Sequence, residues 1–382
     1  MQKIKVLFLI HDLGQGGAEK VLVNLVNNLN TERFEIHVIS LFGGGVYEKE
    51  LSPRIKYKSL CKNVFRGNRM IVKFLPPALL HSLCVKEQYD IEIAFLEGSI
   101  SKIISGCKNS HTKTISWIHT DQRNYKGAIS YFKNKKDADS CYNSFDCIVG
   151  VSESVKNRFM QNFPSAKQPV VLYNVFETDQ IKKLSEEEVT DWSFSDEEIN
   201  VVTVGKVIKS KGFERYARIF LRLRKEGIPV HFYIIGSKVD REETEKINRI
   251  ILNSNEGDYF TFLGYKKNPY KYMKCCDLYV CPSFQEGFST ASTESLVVGV
   301  PVCTTNVAGM YEMLGANNEW GIVADNDEDS LYEAINRLIS TPGLLQYYKG
   351  KAKERGVVFS KENTVNAVEK VLLDLYENRG EN

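Results

Sequence analysis

The sequence predicts an α/β protein with two doubly wound parallel sheets, and two observations support this fold class. Short runs rich in valine and isoleucine alternate with amphipathic stretches along most of the 382 residues. That order of strands and helices builds a parallel sheet with helices on both faces. The alternation stops once, at the acidic and polar residues 177–200, and then restarts. We interpret the break as a linker between two domains, for which the chain is long enough.

The first predicted domain spans residues 1–176. It begins with a buried strand at residues 3–10, followed by a glycine-rich loop and an amphipathic helix at about residues 18–29. Further short strands, with helices between most of them, are predicted in FEIHVISL, YDIEIAFL, TKTISWI and FDCIVGVS.

The second predicted domain, at residues 201–358, repeats this order. Its strands are predicted in INVVTVG, VHFYIIG, YFTFLG, DLYVCPS and VPVCTT. The last amphipathic helix, at about residues 360–380, is expected to pack back on the first domain. Ligands of open parallel sheets bind beyond the carboxyl ends of the strands. We therefore expect the two domains to face each other across a cleft lined by the loops that follow the strands.

The composition is that of a soluble globular protein. Hydrophobic residues make up 43% of the chain and charged residues 26%. No apolar run approaches the roughly eighteen residues that predict a membrane-spanning helix. The nine cysteines are scattered without a zinc-ligand spacing, so we expect reduced thiols in a cytoplasmic protein.

The charge is unevenly divided along the chain. Up to Phe176 there are 24 lysines and arginines against 15 aspartates and glutamates, a net charge of +9, whereas the remainder has 26 against 33, a net charge of −7. The basic half suggests an anionic partner or surface. Nucleic acid is not expected as a partner, because the basic and aromatic motifs of nucleic-acid readers are missing.

The stretch EGFSTASTE, from Glu286 to Glu294, follows the predicted strand DLYVCPS. Gly287 permits a tight turn, and Ser289 is expected to cap a helix that runs to about Val298. The positive end of that helix favours a phosphate, and a carboxylate accepts hydrogen bonds from two vicinal hydroxyls. The pattern suits a nucleotide sugar, with its diphosphate at the helix end, its sugar at Glu286 and its ribose at Glu294. Two solvated glutamates on a helix surface explain the spacing equally well.

A basic loop follows the predicted strand INVVTVG and contains Lys206 and Lys211. Two lysines at a strand end would neutralise the charge that develops on a departing diphosphate. Taken alone, an exposed basic loop is the simpler explanation. The loop is not a Walker A phosphate loop, because GKVIKSKG lacks the required GxxxxGK[ST] spacing.

Together these segments resemble glycosyltransferase family 4. EGFSTASTESLVVGVPV resembles the family's pair of glutamates, VGKVIKSKGF resembles its phosphate-binding glycine and lysine, and GQGGAEKVLVNL and NNEWGIVADND match further landmarks. The resemblance covers nearly the whole chain and implies the GT-B fold, with an acceptor-side domain first and a donor-binding domain second. The family commonly has arginine at the position of Lys206. Lysine keeps the charge there but loses the bidentate fork.

The resemblance also implies a reaction and the residues that perform it. A sugar would pass from a nucleotide-diphosphate donor, with a UDP-sugar as the favoured donor, to a glycan or polyprenyl-linked glycan acceptor. The transfer would retain the anomeric configuration and need no metal or other cofactor. Bacterial surface polysaccharide synthesis is the implied pathway. Glu286, His119 and Lys211 are the implied catalytic residues, with His119 positioning the substrate. The implied donor-binding residues are Gly16, Gly17, Gly205, Lys206, Lys211, Gly287, Phe288, Ser289, Thr290 and Glu294.

Three other functions compete with this one. A nucleotide-sugar epimerase would use similar donor contacts, and a non-catalytic scaffold would bind the nucleotide sugar without transfer. A dehydrogenase is disfavoured, because HDLGQGGAE has Glu19 where a GxGxxG fingerprint needs glycine, and EIHVISLF does not end in a ribose-binding acid. Asp137 and Asp139 form a DxD pattern, which binds a divalent metal in another glycosyltransferase fold. They lie in a polar, helix-like stretch rather than at a strand end, so no metal is assigned to them.

The basic segment, residues 54–73 (RIKYKSLCKNVFRGNRMIVK), has seven basic residues, no acidic one and several interleaved apolar residues. A solvated loop followed by a helix start is the simple interpretation. The resemblance places this segment in the acceptor-side domain of a family that extends lipid-linked glycans. We therefore predict peripheral attachment to the anionic inner face of the cell membrane, worth about 1 kcal/mol per basic residue. The basic residues are Arg54, Lys56, Lys58, Lys62, Arg66, Arg69 and Lys73.

Overall fold

The computed structural model describes residues 3–65, 67–122 and 125–378. Arg66 of the basic segment lies outside the described residues. The chain forms two compact units. Unit 1 comprises Met1–Phe176 and Lys361–Asn382, and unit 2 comprises Glu177–Ser360.

Unit 1 is built on a 7-stranded sheet whose described pairings are all parallel. Its strands are β1 (Ile4–Ile10), β2 (Phe34–Phe42), β3 (Lys56–Cys61), β4 (Ile91–Ala94), β5 (Lys113–Ile118), β6 (Cys147–Gly150) and β7 (Val170–Val171). They lie in the order β3-β2-β1-β4-β5-β6-β7. Between them lie a 3-10 helix at Val46–Glu50 and the helices α1 (Gly17–Asn28), α2 (Asn68–Phe74), α3 (Pro77–Cys84), α4 (Ser99–Ile104), α5 (Tyr125–Ala128), α6 (Lys135–Asn143) and α7 (Glu153–Asn162).

Unit 2 repeats this plan on a 6-stranded parallel sheet. Its strands are β8 (Ile199–Val204), β9 (Val230–Ile235), β10 (Phe260–Gly264), β11 (Leu278–Cys281), β12 (Val302–Thr305) and β13 (Ile322–Ala324). They lie in the order β10-β9-β8-β11-β12-β13. The helices are α8 (Thr178–Ser185), α9 (Phe213–Lys225), α10 (Arg241–Leu252), α11 (Tyr270–Lys274), α12 (Thr290–Val298), α13 (Met310–Leu314), α14 (Glu328–Ser340) and α15 (Leu344–Val358), with 3-10 helices at Lys209–Lys211 and Gly257–Tyr259.

The final helix, α16 (Lys361–Glu377), belongs to unit 1. Glu369 on α16 accepts a hydrogen bond from the backbone N–H of Asn30, which follows α1, at 2.6 Å. Val368 and Leu372 on the same helix are buried, so an apolar stripe and a polar contact both attach α16 to the first sheet unit.

The central strands are buried on both faces, which explains why they appear in the sequence as continuous apolar runs. Every residue of β4, β5, β9 and β11 is buried. In each sheet the strand order reverses direction once, between β1 and β4 in unit 1 and between β8 and β11 in unit 2. Such switch points open a crevice beyond the carboxyl ends of the strands, where ligands bind.

The segment predicted as a linker, residues 177–200, is instead part of unit 2. It contains α8, whose Ile181 is buried, and the amide of Asn268 donates to the carbonyl of Leu184 at 2.8 Å. Asp191 pairs with Lys266 at 2.5 Å. The acidic residues that suggested a solvated connection are therefore partly neutralised by the basic loop before α11.

The basic segment is more structured than the solvated loop and helix start expected from the sequence. Its first part is the edge strand β3, which pairs in parallel with β2, and α2 begins only at Asn68. The alternation of lysine with less polar residues is that of an edge strand with one face in solvent. The two-residue strand β7 and the three-residue strand β13 were not predicted, because runs this short give no periodicity.

None of the described helices is long and apolar enough to cross a membrane.

Candidate active site at the switch point of unit 2

The loops that follow β8 and β11 meet at the switch point of unit 2. Gly212, after β8, has a φ of +68°, a left-handed conformation that favours glycine. A Cβ atom on Gly212 would lie 1.9 Å from the carbonyl oxygen of Pro282, in the loop after β11. Glycine is needed there both for its backbone conformation and for the close approach. The result is that the lysine-containing loop is held against the loop that carries Glu286.

Lys211 and Glu286 form an ion pair across these two loops. The Nζ atom of Lys211 lies 2.6 Å from Oε1 of Glu286, and the Ser283 hydroxyl donates to the same oxygen at 2.6 Å. Burial alone would lower the pKa of Lys211, but the nearby Glu286 carboxylate outweighs it and raises that pKa. Lys211 therefore stays fully protonated at neutral pH. Of the predicted catalytic residues, these two are brought together by the structure.

Arg215, on the first turn of α9, holds the loop that carries Glu286. It was not among the site residues predicted from the sequence. Its side chain is buried, and its guanidinium donates to the carbonyl oxygens of Pro282 at 2.6 Å and of Ser283 at 2.7 Å. It also stacks on the ring of Phe284, 4.0 Å from the centroid, and its Nη1 has no hydrogen-bond partner in the described part of the chain. Burial lowers the pKa of Arg215 to about 10.

The sequence did contain a signal for Arg215. It lies four and eight residues before Ile219 and Leu223, which are buried on the same helix. A charged residue at the spacing of an apolar helical stripe is a candidate for a buried charge with a specific partner.

The helix α12 begins where the sequence predicted. Ser289 is its N-cap, and its side-chain oxygen accepts from the N–H of Ser292 at 3.3 Å; the helix runs from Thr290 to Val298. Gly287 and Phe288 complete the loop between Glu286 and the cap, and Phe288 is buried. The prediction of a capped helix N-terminus at this strand end is confirmed.

Glu294 lies in the middle of α12 and is buried. Its Oε1 accepts a hydrogen bond from the hydroxyl of Tyr270, the first residue of α11, at 2.9 Å. The simple interpretation of a solvated glutamate is therefore wrong for this residue. A buried carboxylate that accepts a hydrogen bond from a phenol has further acceptor capacity for hydroxyl groups.

Gly205 and Lys206 directly follow β8 at the switch point. The N–H of Gly205 donates to the carbonyl of Ile235 on β9 at 2.9 Å, which continues the sheet pairing up to the lysine. Lys206 is half-buried. Both residues thus lie at the carboxyl end of β8, where the sequence placed them.

His119 lies at the carboxyl end of β5 in unit 1, as predicted. Its ring is buried against Phe95, 4.6 Å between centroids, and its Nε2 has no hydrogen-bond partner in the described part of the chain. Burial lowers the pKa of His119 to about 3, so the imidazole is neutral at neutral pH. Its backbone N–H donates to Glu97 at 2.9 Å, and the Thr120 hydroxyl donates to the other oxygen of Glu97. A neutral ring with an unpaired nitrogen suits a positioning role rather than that of a cationic acid.

Gly16 and Gly17 lie in unit 1 at the start of α1, after the carboxyl end of β1. Gly16 is the N-cap of this helix. A Cβ atom on Gly16 would lie 1.8 Å from a carboxylate oxygen of Glu19, so a larger residue would displace that side chain. The structure thus places the predicted glycines at the other switch point, the one of unit 1.

Asp137 and Asp139 lie on α6, away from any strand end, as predicted. Asp137 pairs with Lys102 at 2.9 Å, and Asp139 pairs with Lys135 at 3.1 Å. Both carboxylates therefore have lysine partners within unit 1.

The arrangement in unit 2 can bind an anion and a polyol side by side. A half-buried lysine and a capped helix N-terminus favour phosphate, and two carboxylates can accept hydrogen bonds from hydroxyls. Two doubly wound units with such a site at a switch point define the class of nucleotide-binding α/β enzymes.

Comparison with known proteins gives the family within this class. The family described as "Glycosyltransferase Family 4" matches residues 15–180, and "Glycosyl transferases group 1" matches residues 185–355. Between them they cover nearly the whole of both units. The chain belongs to this family and is a glycosyltransferase, which confirms the resemblance inferred from the sequence.

The similar proteins agree with this assignment. An N-acetylgalactosamine-N,N'-diacetylbacillosaminyl-diphospho-undecaprenol 4-alpha-N-acetylgalactosaminyltransferase of Campylobacter jejuni is 29% identical over 98% of this chain and 100% of its own length. The capsular polysaccharide biosynthesis glycosyltransferase CapM of Staphylococcus aureus is 24% identical over 54% of this chain and 56% of its own. The crystal structure of Anabaena Alr3699/HepE in complex with UDP-glucose covers 97% of this chain and 100% of its own, with 16% identity and a TM-score of 0.76. The structural likeness confirms the predicted GT-B fold class.

Proposed function

We propose that the protein transfers a sugar from a UDP-sugar to a hydroxyl of a lipid-linked glycan, with retention of configuration and without a metal. The observation that carries the proposal is the ion pair of Lys211 and Glu286, 2.6 Å apart, between the lysine-containing loop and the capped N-terminus of α12. A cation, a carboxylate and a helix N-terminus then converge where the diphosphate and the sugar of one donor molecule would meet.

The choice of donor and acceptor is supported by the similar proteins. The Campylobacter relative is named for a diphospho-undecaprenol acceptor, CapM is named for capsular polysaccharide biosynthesis, and Alr3699/HepE was solved with UDP-glucose. A UDP-sugar and a polyprenyl-diphosphate-linked glycan are therefore the substrates we propose, in bacterial surface glycan synthesis.

In the proposed reaction the bond between the anomeric carbon and the diphosphate oxygen breaks as the acceptor oxygen bonds to the same face of that carbon. The acceptor proton passes to the departing diphosphate oxygen. Lys206, Lys211 and the N-terminus of α12 stabilise the charge that develops on the diphosphate. Glu286 accepts hydrogen bonds from sugar hydroxyls, and Glu294 accepts them from the ribose. His119, which is neutral, is assigned a substrate-positioning role.

Donor binding changes the partners of the ion pair. Phosphate oxygens compete with Glu286 for Lys211, while sugar hydroxyls replace the lysine at the carboxylate. The charges are already placed and mutually neutralised before the donor arrives, so little reorganisation is needed at the moment of reaction.

A screen of nucleotide sugars by thermal shift tests the proposal. We expect one UDP-sugar to raise the unfolding temperature more than UDP alone, and addition of a polyprenyl-diphosphate-linked glycan to release UDP with formation of a longer glycan. Conversion of the donor without acceptor would favour an epimerase. Binding without release under any acceptor would favour a scaffold, and either result would contradict transfer.

The acceptor-side proposal includes attachment to an anionic membrane surface through α2, α3 and the turn before them. Besides the basic residues Lys62 and Arg69, this region has exposed large apolar side chains on the turn before α2 and on both helices. They are Val64, Phe65, Met70, Ile71, Phe74, Leu79 and Leu83, each 44–59% exposed. Apolar side chains next to basic ones suit insertion between anionic lipid headgroups.

Flotation with liposomes tests this attachment. We expect the protein to float with anionic vesicles at low salt and to be released at high salt, because exposed charges are screened beyond about a Debye length. Replacement of Lys62, Arg66 and Arg69 by glutamate should abolish flotation. Leu252→Ser, at an 80% exposed leucine of unit 2, serves as the control and should float as wild type does. Equal recovery with neutral and anionic vesicles would contradict the proposal.

A further inference from the structure

We propose that His81, Glu92 and Cys107 form a binding site for one zinc ion in unit 1, separate from the candidate active site. A ring nitrogen of His81, a carboxylate oxygen of Glu92 and the Sγ atom of Cys107 all lie within 4.8 Å of one another. The three residues come from three different parts of the fold, so the site is not visible as a spacing in the sequence.

The fold brings these ligands together from α3, β4 and the turn that follows α4. Glu92 lies in the interior of β4, between β1 and β5, and its side chain is only 3% exposed. His81 lies on α3, and its Nε2 is 2.7 Å from Oε2 of Glu92. The turn that carries Cys107 is fixed by its backbone N–H, which donates to the carbonyl of Ile104 at 3.0 Å.

The turn and α3 are also held tightly against each other. A Cβ atom on Gly106 would lie 2.1 Å from the carbonyl oxygen of Pro77, the first residue of α3. The chain therefore uses glycine next to Cys107 to bring that cysteine up to the helix that carries His81. The convergence of the three ligands is built by backbone packing and does not depend on flexible side chains alone.

The ligand chemistry selects zinc among the common cations. A thiolate, an imidazole and a carboxylate are the ligand types of zinc sites, whereas magnesium and calcium prefer oxygen ligands throughout. With bonds of about 2.1 Å in a tetrahedral arrangement, the ligand atoms would lie about 3.4 Å apart. The pair of His81 and Glu92 must open by well under 1 Å to reach this, and the fourth position is left for water.

Charge balance favours the same ion. A thiolate and a carboxylate carry two negative charges, and a neutral imidazole adds none, so a divalent cation makes the partly buried cluster neutral. His81 and Cys107 are half-buried, which leaves a path for the ion to enter.

Metal titration of the full chain tests the site. After removal of metals by a chelator, we expect one zinc ion to bind per chain, measured by competition with a chromophoric chelator. Cobalt(II), used as a spectroscopic substitute, should give the charge-transfer absorption of a thiolate ligand and the visible bands of a tetrahedral ion. Cys107→Ser should abolish the charge-transfer band and weaken zinc binding by at least about a hundredfold, since even outer-shell changes cost 10–100-fold.

Cys147→Ser provides the matched control, because Cys147 is also a half-buried cysteine of unit 1 but lies outside the cluster. It should bind zinc as the wild type does. His81→Ala is the second ligand variant and should weaken zinc binding as Cys107→Ser does. It is preferred to Glu92→Gln, because Glu92 is buried in the sheet and its replacement endangers folding. The proposal is overturned if the wild-type protein binds no stoichiometric zinc and shows no thiolate band with cobalt, or if Cys107→Ser and His81→Ala keep wild-type affinity. The cluster would then be a proton-sharing contact within unit 1.

Discussion

At the scale of single residues, the candidate active site depends on charges that neutralise one another before any ligand binds. Lys211 and Glu286 are partners across 75 positions of the chain, and each is at least half-buried. Removing one of them leaves the other uncompensated in a partly desolvated place. Substitutions that keep shape and remove charge are therefore the informative ones, and each needs a binding measurement beside the rate.

We expect Glu286→Gln to lower turnover by about a hundredfold or more, the usual loss for one contact that is strongest in the transition state. The amide keeps the shape and the hydrogen bond from Ser283 but removes the charge opposite Lys211. UDP should still bind, as isothermal titration would show. Glu328→Gln is the control, because it removes the charge of an exposed carboxylate on α14 that pairs with Arg218 on α9. This variant should keep the rate. Turnover within twofold of wild type would exclude Glu286 from catalysis.

Glu294→Ala should weaken the binding of free UDP instead. The carboxylate is buried next to Tyr270, at 2.9 Å, and its proposed ligand is the ribose. Tyr270→Phe keeps the carboxylate and removes the hydrogen bond from the phenol, so it should retain more of the UDP affinity than Glu294→Ala does. Equal UDP affinity of Glu294→Ala and wild type, in the same titration, would remove the ribose assignment.

His119 should make the protein less stable in acid. Its pKa is about 3 when folded, against about 6.5 in an unfolded chain, so between these values the unfolded state binds more protons and stability falls as pH falls. The slope from this group is at most about 1.4 kcal/mol per pH unit. His119→Phe removes the titrating group, and its unfolding temperature should therefore fall less than that of wild type between pH 6.5 and pH 4. Parallel pH profiles would show that the folded pKa of His119 is not lowered.

At the scale of elements, the sequence predicted regular segments better than the contacts between them. The start of α12 was predictable because Ser289 and the preceding Gly287 are local signals, and the apolar strands gave β4, β5, β9 and β11. The edge strand β3 was missed because its alternating lysines look like a solvated loop. The pairing of Lys211 with Glu286 depends on how two distant loops pack, which no local pattern records. The helical spacing of Arg215 indicates that it is buried but not which carbonyl oxygens it contacts.

The contact between those two loops makes Gly212 a sensitive position. Gly212→Ala places a Cβ atom 1.9 Å from the carbonyl oxygen of Pro282 in addition to the left-handed strain, so the loop after β11 must move. Gly227→Ala is the matched control, because Gly227 has a similar φ of +79° but no atom within 4 Å of the added Cβ. We expect about 1 kcal/mol of destabilisation for the control, and for Gly212→Ala a larger loss together with reduced turnover. Denaturant unfolding of the two variants measures this, and equal losses would show that the loops do not meet as described.

At the scale of the whole molecule, the opposite net charges of the two halves have different structural consequences. In unit 2 many of the surplus carboxylates have basic partners, among them Glu198 and Glu256, which both pair with Arg224. In unit 1 the basic residues Lys62 and Arg69 are exposed beside apolar side chains. The sequence could predict the asymmetry and its location. It could not predict that α2 and α3 expose their apolar residues, because burial is decided by tertiary packing.

One experiment on the whole protein tests both the proposed metal-independent transfer and the proposed zinc site. The transfer reaction is proposed to use lysines and a helix N-terminus in place of a metal, whereas the zinc proposed at His81, Glu92 and Cys107 connects α3 and the turn after α4 to the sheet of unit 1. A strong chelator should therefore leave the transfer rate unchanged when it is assayed well below the unfolding temperature. The same treatment should lower that temperature, since a ligand bound only by the folded state stabilises it, and one equivalent of zinc should restore it. In Cys107→Ser the chelator should change neither quantity. A transfer rate that falls with chelator and returns with magnesium or manganese would show that the reaction itself needs a metal, and would redirect attention to Asp137 and Asp139.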